Sequence, residues 1–433
     1  MPERDQCLQD KRNYTASHTF AASGLTFNRL SQNSLYNLNT MSRSSVQVSI
    51  APDVFRWLCG TSGWHAEEIA KRIEVPEADV RSWCKGTTKP VLPLSKVEQL
   101  SAAFKRPLAA FLLSKPPEEI TTLPDFRKLP GAKKDFSRET HLAIRKARRL
   151  QKVRRELMEN LGTDVRVKIR TRTLRDDPEV VAREERSISG INYENSTGIT
   201  DSVIFNIWRD WFEQKNIAVF KMRMPIDDAR GFVLSENEPF VIVVNASDAL
   251  AGKMFTLFHE YGHLLLNVPA ICNQDSNEVK DRGIAEIERW CNKFAGAFLM
   301  PKEAIEANDR IMTAIRAKNF TESAKIISKK FYVSKESALL RLLTLDYISS
   351  KVFFKERNEF RKEVAQNIEL IKERQKETEQ QFKAQPLDKQ CLSEKGQNFV
   401  SLVLKNSELG YITSNDALDY LDVKLRHLEK LRA

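Results

Sequence analysis

The residues best suited to chemistry are two histidines four positions apart, His259 and His263, with Glu260 directly after the first. Apolar residues flank them on both sides, which is typical of a buried helix. On an α-helix residues i and i+4 lie on one face, so both imidazoles can bind one ion, while Glu260 projects about 100° around the axis. The pattern predicts a metal ion with two histidine ligands and an adjacent general base.

Neutral imidazole favours Zn2+, which in catalytic sites takes three protein ligands and keeps one position for water. The third ligand must come from farther along the chain, where the candidate acids are Glu278, Asp281, Glu286 and Glu288. Helical spacing places Glu288 on a face with small or apolar residues, namely Cys291, Asn292, Ala295 and Leu299. Glu286 instead shares its face with Arg289, Trp290 and Lys293. Glu288 is therefore the better inward carboxylate.

Other side chains near the motif have more than one interpretation. Asn292 lies one turn after Glu288 and is predicted to hydrogen-bond a ligand, because such partners orient the ligands of metal sites. Cys291 is either a small buried residue, which we favour, or a redox-sensitive thiol beside the metal. No side chain can be assigned to stabilise an oxyanion, since Tyr261 and Arg230 are near the motif only in sequence.

Four stretches together resemble the ImmA/IrrE family of zinc metallopeptidases: residues 255–266 (FTLFHEYGHLLL), Glu288-x-x-Cys-Asn-x-Phe-Ala, Leu-Met-Pro301 and Val243-Val244-Asn245. The resemblance extends from Ile199 to Val352. It implies His259, His263 and Glu288 as zinc ligands and Glu260 as the general base that activates water. Proteins of this family cut or inactivate repressors in stress responses, mobile elements or toxin–antitoxin loci, so the resemblance implies an endopeptidase acting on such a regulator.

The elements that must position the site precede it in the chain. Residues 217–220, 231–234 and 240–244 are rich in β-branched and aromatic residues and predict strands, with a turn at Asn237-Glu238 between the last two. The helix with the motif follows at once. We expect the strand that ends near Asn245 to hold substrate as an added β-strand, which is a common way to bind an extended peptide.

An N-terminal helical bundle is predicted from Pro52 to Leu113, centred on the helices His65–Ile73 and Glu77–Lys85. It resembles the Xre-type, lambda-repressor-like helix-turn-helix family in Glu68-Ile69-Ala70, Val75, Val80, Trp83, Gly86 and Lys89-Pro90. It departs from that family at Glu74, where glycine is usual, and in the acidic start of the second helix, which repels phosphate. Arg81, Ser82 and Lys85 are the candidate DNA contacts, and the alternative is a module that binds a protein or forms a homodimer.

The predicted fold class is α+β and mainly helical: a helix-turn-helix bundle, a zincin-like metallopeptidase core with a small sheet, and C-terminal helices. The predicted boundaries are a disordered extension (1–49), the bundle (50–115), a linker with a basic helix (116–198), the peptidase (199–352), and a charged helix with a C-terminal helical segment (353–433). The basic helix begins after Ser137 and carries part of the formal net charge of +11. It could meet phosphates or an acidic protein, or it is a solvated helix face.

Composition excludes several classes of protein. Every apolar window is interrupted before the roughly 18 to 20 residues that a membrane helix needs, and residues 1–40 lack the apolar core of a secretory signal. Six cysteines without a C-x-x-C pair argue against a disulfide framework and predict a reducing, cytoplasmic setting. The rival to the peptidase is a DNA-binding regulator or antitoxin whose zinc site is regulatory or inactive. Glu260 favours catalysis, because a structural zinc site needs no base.

Overall fold

The computed structural model describes residues 46–117, 136–192, 200–267, 277–367 and 380–432, together with residues 373 and 377. Over these ranges most residues are helical, and the strands form one two-stranded ribbon and one three-stranded sheet. This agrees with the predicted α+β class. No helix in the described part of the chain has the length and apolar character needed to cross a membrane.

The N-terminal part is a small helical bundle. Its helices are α1 (Pro52–Ser62), α2 (Ala66–Ile73), α3 (Glu77–Lys85) and α4 (Leu94–Phe104), followed by a 3-10 helix over Leu108–Leu112. A capping box between His65 and Glu68 begins α2, and Glu74 ends it in the left-handed conformation with φ 51°. Phe55, Ile69 and Val80 are fully buried at the centre of the bundle, so a hydrophobic core joins the helices.

A short antiparallel ribbon closes this bundle. Strand β1 (Gln47–Ser49) pairs with strand β2 (Val91–Pro93), and the central residues Val48 and Leu92 face each other and are buried. The predicted disordered extension over residues 1–49 is therefore corrected at its C-terminal end, because burial of Val48 fixes residues 47–49 as a strand. Residues 1–45 lie outside the described residues.

Cys59 of α1 and Cys84 of α3 are joined by a disulfide, with Cα atoms 5.8 Å apart. The expectation of unpaired cysteines is wrong for these two. They are 25 residues apart in the chain, and the packing of α1 against α3 brings them together. A local sequence motif therefore does not predict the pair. Cys291 and Cys391 are buried and take no part in a disulfide.

The predicted basic helix is confirmed as α5 (Arg138–Asn160), whose first turn is capped by the Ser137 hydroxyl. Its cations are directed at partners within the chain. These pairs are Arg145 with the Phe104 carbonyl, Lys146 with Asp422, Arg148 with Glu236, Arg149 with Asp419, Lys152 with Glu156, and Arg155 with the Glu238 carbonyl. Much of this basic stretch therefore binds neighbouring parts of the fold, which neither interpretation of the sequence included.

The three-stranded sheet contains β3 (Ile217–Met222), β4 (Gly231–Leu234) and β5 (Phe240–Asn245), in the order β3–β5–β4. Strand β5 runs parallel to β3 and antiparallel to β4. The expectation that the strand ending at Asn245 accepts a substrate strand is wrong, because β5 is central and both of its edges are already paired. The edge strands are β3 and β4.

One face of the sheet is covered by α7 (Asp201–Gln214) and by the motif helix α8 (Leu250–Leu265). The core on this side continues into α6 (Pro178–Ser189) and α9 (Asn277–Leu299). Trp208, Phe258 and Phe298 pack edge-to-face or stacked at the centre, with ring centroids 4.2 to 5.3 Å apart. The same core extends through α10 (Lys302–Glu306), α11 (Asp309–Arg316), α12 (Phe320–Phe331), α13 (Lys335–Thr344) and α14 (Ser350–Gln366). The metal motif thus belongs to the largest hydrophobic core of the described chain.

The opposite face of the sheet is covered by α5 and by the C-terminal helices α15 (Leu387–Lys395), α16 (Gln397–Glu408), α17 (Ser414–Leu421) and α18 (Leu425–Arg432). Phe220 of β3 meets Phe399 of α16 edge-to-face, with ring centroids 5.4 Å apart. The role of the C-terminal helices was open from sequence. In the structure these helices provide about half of the side chains of the second core. The sheet of the predicted peptidase region is therefore covered both by a helix that precedes that region in the chain and by helices that follow it.

Candidate metal centre

The motif on helix α8 lies in the interior of the protein. His259 is 0% exposed, His263 is 3% exposed and Glu260 is 6% exposed. Buried polar groups of this kind require compensating partners. The apolar side chains around the motif, including Leu257, Phe258 and Leu264, fix the helix against α7 and α9, so the orientation of the two imidazoles is set by core packing.

Helix α9 approaches α8 closely at Gly262, the fourth residue of the motif. A Cβ atom placed on Gly262 would lie 3.1 Å from Sγ of Cys291 and 3.2 Å from its Cα atom, a distance that leaves little room for any side chain. Cys291 is itself 0% exposed. The favoured interpretation of Cys291 as a small buried residue agrees with this contact, which brings Glu288, one turn earlier on α9, within reach of both histidines.

The structure brings together the three residues singled out as zinc ligands. The Nε2 atoms of His259 and His263 are 3.1 Å apart, and the Glu288 carboxylate lies 3.3 Å from Nε2 of His259 and 3.2 Å from Nε2 of His263. Each of the three residues offers one possible ligand atom, and these atoms all lie within 4.8 Å of one another. Glu286, the alternative on the same helix, is exposed.

These distances fit a tetrahedral ion. With bonds of about 2.0 to 2.1 Å to nitrogen or oxygen, a tetrahedral zinc ion separates its ligand atoms by about 3.3 to 3.4 Å. The Nε2 atoms of His259 and His263 are slightly closer than that, at 3.1 Å. The Glu288 carboxylate approaches the two nitrogens through different oxygens, with Oε2 3.3 Å from His259 and Oε1 3.2 Å from His263. Two neutral imidazoles and one carboxylate also form the donor set of catalytic zinc sites that keep a fourth position for water.

The Glu288 carboxyl is poised to be ionised. Burial, the largest single influence, would raise its pKa, but the hydrogen bonds from His259 and His263, followed by their charges, outweigh burial and hold the pKa at about 2. The carboxylate thus stays negatively charged at neutral pH, as a metal ligand must.

Asn292 holds the outer nitrogen of His259. Its Oδ1 atom lies 3.0 Å from Nδ1 of His259, so an Nδ1–H donor on the ring directs the lone pair of Nε2 at the metal position. This is the contact expected of Asn292 from the sequence. Helix α9 therefore supplies both a carboxylate for the site and the partner that orients a histidine ligand.

Replacing Asn292 by alanine is expected to weaken zinc binding about 10- to 100-fold, because His259 loses the partner that fixes its ring and tautomer. Competition with a chromophoric chelator measures the affinity. Replacing Lys293, the next residue, by alanine provides the matched control, and an Asn292→Ala affinity equal to that of the control would show that the contact does not orient the ligand.

The back of the motif is anchored by a residue that the sequence interpretation missed. The Tyr261 hydroxyl donates to Glu185 of α6 at 2.7 Å, and both side chains are buried. Burial, followed by the negative charge of Glu185, raises the pKa of Tyr261 well above its usual value, so the hydroxyl keeps its proton. Lys215 lies 3.6 Å from the same carboxylate. Tyr261 thus has a structural partner on the far side of α8.

Sequence signals for Glu185 were present in a stretch that gave no prediction. Asp177 and Pro178 begin α6 with a side-chain cap and a proline in the first turn, and Gly190 ends it in the left-handed conformation. These are ordinary helix boundaries. On such a helix Glu185 shares a face with the buried Val181 and Ala182, so its burial follows from spacing once the helix is recognised.

The connection from the sheet to α8 is fixed by Asn245. Its amide donates to the carbonyl oxygens of Met224 and Ala229 at 2.8 and 2.9 Å, while its Oδ1 accepts from the Ser247 backbone at 3.0 Å. Nearby, Arg230 pairs with Asp248 at 3.0 Å. Arg230 therefore helps to close this loop, and Asn245 ties the start of β4 to the start of α8.

The three candidate DNA contacts lie on α3, in the N-terminal bundle. Arg81 donates from Nε to Glu77 at 2.8 Å, and the Ser82 hydroxyl donates to the Asp79 carbonyl at 2.7 Å. Lys85 is exposed in the last turn. Arg81 and Ser82 thus have partners within their own helix, and the partner of Arg81 is Glu77, one of the two acidic residues at the start of α3.

Comparison with known proteins identifies one similarity. Residues 212–343 match the model of the IrrE N-terminal-like domain of the M78 peptidase family. The matched region begins in α7, includes the whole three-stranded sheet, and contains Glu260 and the three clustered residues His259, His263 and Glu288. No curated protein matches the chain. The match supports the resemblance to the ImmA/IrrE family and a metallopeptidase type of function for this region.

Proposed function

We propose that this chain, with its M78-like region over residues 212–343, is a zinc-dependent endopeptidase that cleaves or inactivates a transcriptional repressor or antitoxin-like regulator. The observation that carries the proposal is the convergence of His259, His263 and Glu288 at 3.1 to 3.3 Å. Glu260 adjoins this group on the same buried helix. A purely structural zinc site would not need that carboxylate.

The chain's own residues divide the chemistry between them. His259, His263 and Glu288 would hold Zn2+, with Asn292 orienting the first. When bound, the ion supplies a water of lowered pKa, about 7, and polarises the peptide carbonyl. Glu260 takes a proton from the attacking water as the carbon–oxygen bond forms, then returns it to the amine nitrogen as the carbon–nitrogen bond breaks. The products are a carboxylate and an amine.

Strand β4 is our candidate for binding the substrate backbone. No described strand pairs with its outer edge. The backbone N–H of Asn245 donates to the Arg230 carbonyl, so the backbone groups of residue 230 point towards β5. Backbone groups alternate in direction along an antiparallel strand, so those of Gly231 and Val233 point to the outer edge of β4. A Cβ on Gly231 would collide with Thr256, three residues before His259. An extended peptide added to β4 would therefore lie beside the metal-binding helix.

The nature of the substrate is the second part of the proposal. It is supported by the family resemblance and by the helix-turn-helix pattern of the N-terminal bundle, which would bring the peptidase to DNA-bound regulators or dock it on them. The proposed chemistry is peptide hydrolysis, and a regulator of this kind would supply the peptide bond.

The test incubates zinc-loaded protein with candidate regulators encoded near its gene, with and without a chelator, and follows cleavage by mass spectrometry. Glu260→Gln should keep its zinc and lose about 100- to 10,000-fold in cleavage rate, because only the proton acceptor is removed. Glu286→Gln makes the same chemical change at an exposed position and should cleave normally. If the wild type and Glu260→Gln bind zinc yet leave every regulator equally intact, a DNA-binding regulator with an inactive zinc site becomes the better description.

A further inference from the structure

The same local structure occurs three times in the described chain. In each case two helices are joined by a three-residue turn, over residues 74–76, 332–334 and 422–424. The first turn residue is left-handed, with φ of 51°, 55° and 54°. The second is always valine, whose N–H bonds back to a carbonyl of the preceding helix at 3.1 to 3.2 Å: Val75 to Ala70, Val333 to Ser328 and Val423 to Leu418. A short turn of this kind defines a helix-turn-helix unit.

A DNA-reading unit must expose its second helix, since that helix enters the major groove. Helix α13 does not meet this requirement. Ala338, Leu339 and Leu342 are buried in the main core, and Arg341 is buried against Glu179. The polar residues of its first turn, Lys335 and Glu336, form ion pairs with α14. The second unit therefore contributes to packing.

Helix α3 is exposed, but its charge is mixed. Glu77 and Asp79 occupy its first turn, and Arg81 is paired with Glu77. A phosphate that approached this helix would meet two carboxylates before it reached Lys85. The first unit thus has a suitable shape with weak electrostatic support.

Helix α18 combines exposure with a positive surface. Its outward residues include the cations Arg426, Lys430 and Arg432, against the single acid Glu429, and the exposed cation Lys424 directly precedes the helix. Arg426 donates to Nε2 of His427, and Arg432 donates to Oγ of Ser407. Within the described residues, no carboxylate lies at ion-pair distance from these four cations, and Arg426 and Lys430 are one helical turn apart.

The inner side of α18 is firmly attached. Leu428 is fully buried, and His427 is hydrogen-bonded from Nδ1 to Asp388 of α15 at 2.7 Å. That hydrogen bond lowers the pKa of Asp388, with a smaller contribution from the charge of Lys430. The helix is therefore presented on a fixed support, as groove recognition requires.

The carboxylates of α17 and of the turn that joins it to α18 are already engaged within the chain. Asp419 pairs with Arg149, and Asp422 pairs with Lys146 and Lys395 at 2.7 and 2.8 Å. Asp416 forms a capping box with Thr413. The negative charges that would repel a phosphate backbone are thus largely balanced by cations, mainly of the basic helix α5, and by local hydrogen bonds. The positive charges of α18 are not balanced in this way and can attract an external anion.

We infer that the C-terminal unit α17–α18 binds duplex DNA, with α18 in the major groove and with Arg426 and Lys430 on phosphates or base edges. The inference does not depend on peptidase activity. It assigns to the C-terminal helices a binding surface in addition to their packing on the sheet, and it places a second DNA contact at the opposite end of the chain from the predicted one.

Three double variants, each removing two cations spaced four residues apart, test the inference in the full-length protein. Arg426→Ala with Lys430→Ala changes the proposed surface, and Arg81→Ala with Lys85→Ala changes the N-terminal unit. Lys351→Ala with Lys355→Ala is the matched control on an exposed face of α14. The probe is a fluorescein-labelled random-sequence duplex of about 30 base pairs, titrated at several salt concentrations. Thermal unfolding checks that each variant remains folded.

The α18 variant should lose at least about tenfold in DNA affinity near 100 mM salt. The plot of log affinity against log salt should also become less steep by about two, since two phosphate contacts disappear. The α14 control should keep the wild-type slope. A loss in α18 beyond the control supports the inference whatever the α3 variant does. Equal losses in all three variants, a loss confined to α3, or no binding of the duplex by the wild type would each overturn it.

Discussion

Glu288→Ala is expected to abolish tight zinc binding, and with it the stability that zinc adds to the folded chain. The substitution removes one of three ligands that lie 3.1 to 3.3 Å apart. Loss of a residue that merely supports a ligand costs about 10- to 100-fold in affinity, so loss of a ligand should exceed that range. In the wild type, free zinc at about 1,000 times its Kd should stabilise the fold by about 4 kcal/mol.

The measurements are zinc content after dialysis and thermal unfolding with zinc or with chelator. The unfolding midpoint of the wild type should rise with zinc, whereas that of Glu288→Ala should stay where the chelated wild type unfolds. Glu286→Ala is the matched control, because it removes a carboxylate from an exposed position of the same helix two residues earlier. If Glu286→Ala lost zinc and Glu288→Ala retained it, the assignment of the third ligand would be wrong.

The metal group was the part of the molecule most accessible from sequence. Residues four apart on a helix fix the relation of His259 to His263, and the same periodicity separates Glu288 from Glu286. Both arguments use local geometry only. The contact between Asn292 and His259 could also be expected, since Asn292 lies one turn after Glu288 and therefore faces the same neighbour.

Features that depend on long-range packing were not accessible in this way. The order β3–β5–β4 makes the last described strand the central one. The unbroken apolar run of β5 indicates a strand with both faces covered, but it does not indicate which strands pair with its two edges. The Cys59–Cys84 pair and the ion pairs from α5 to Asp419 and Asp422 join distant segments. Such contacts need the tertiary fold to be recognised, whereas Glu185 needed only the boundaries of α6.

A fragment limited to residues 199–352, the predicted peptidase domain, is expected not to fold stably by itself. The face of the sheet formed by Phe220, Met222, Val241 and Val243 packs against α5 and the C-terminal helices, all outside the fragment. Exposing such side chains costs about 1.5 to 3 kcal/mol each. Four of them together approach the whole stability of a typical domain, about 5 to 15 kcal/mol.

Buried charges increase the expected loss. Arg209 of α7 is fully buried and donates to the carbonyl oxygens of Leu392 and Ser393 at the end of α15. Its neighbour Glu213 is attracted by Arg154 of α5 as well as by Arg209, while burial raises the pKa of the Glu213 carboxyl. Removing α5 and α15 would leave these groups without partners that they have in the full chain, and unpaired buried charges are strongly destabilising.

The measurement compares residues 199–352 with residues 136–433 by near-ultraviolet circular dichroism, by binding of a hydrophobic dye and by urea unfolding. The longer fragment should unfold cooperatively, because it keeps both faces of the sheet covered. The shorter one should bind the dye and lack a cooperative transition. If residues 199–352 unfolded cooperatively at the same urea concentration as the longer fragment, the C-terminal helices would not be needed for the core, and a separate binding module would explain all that they do.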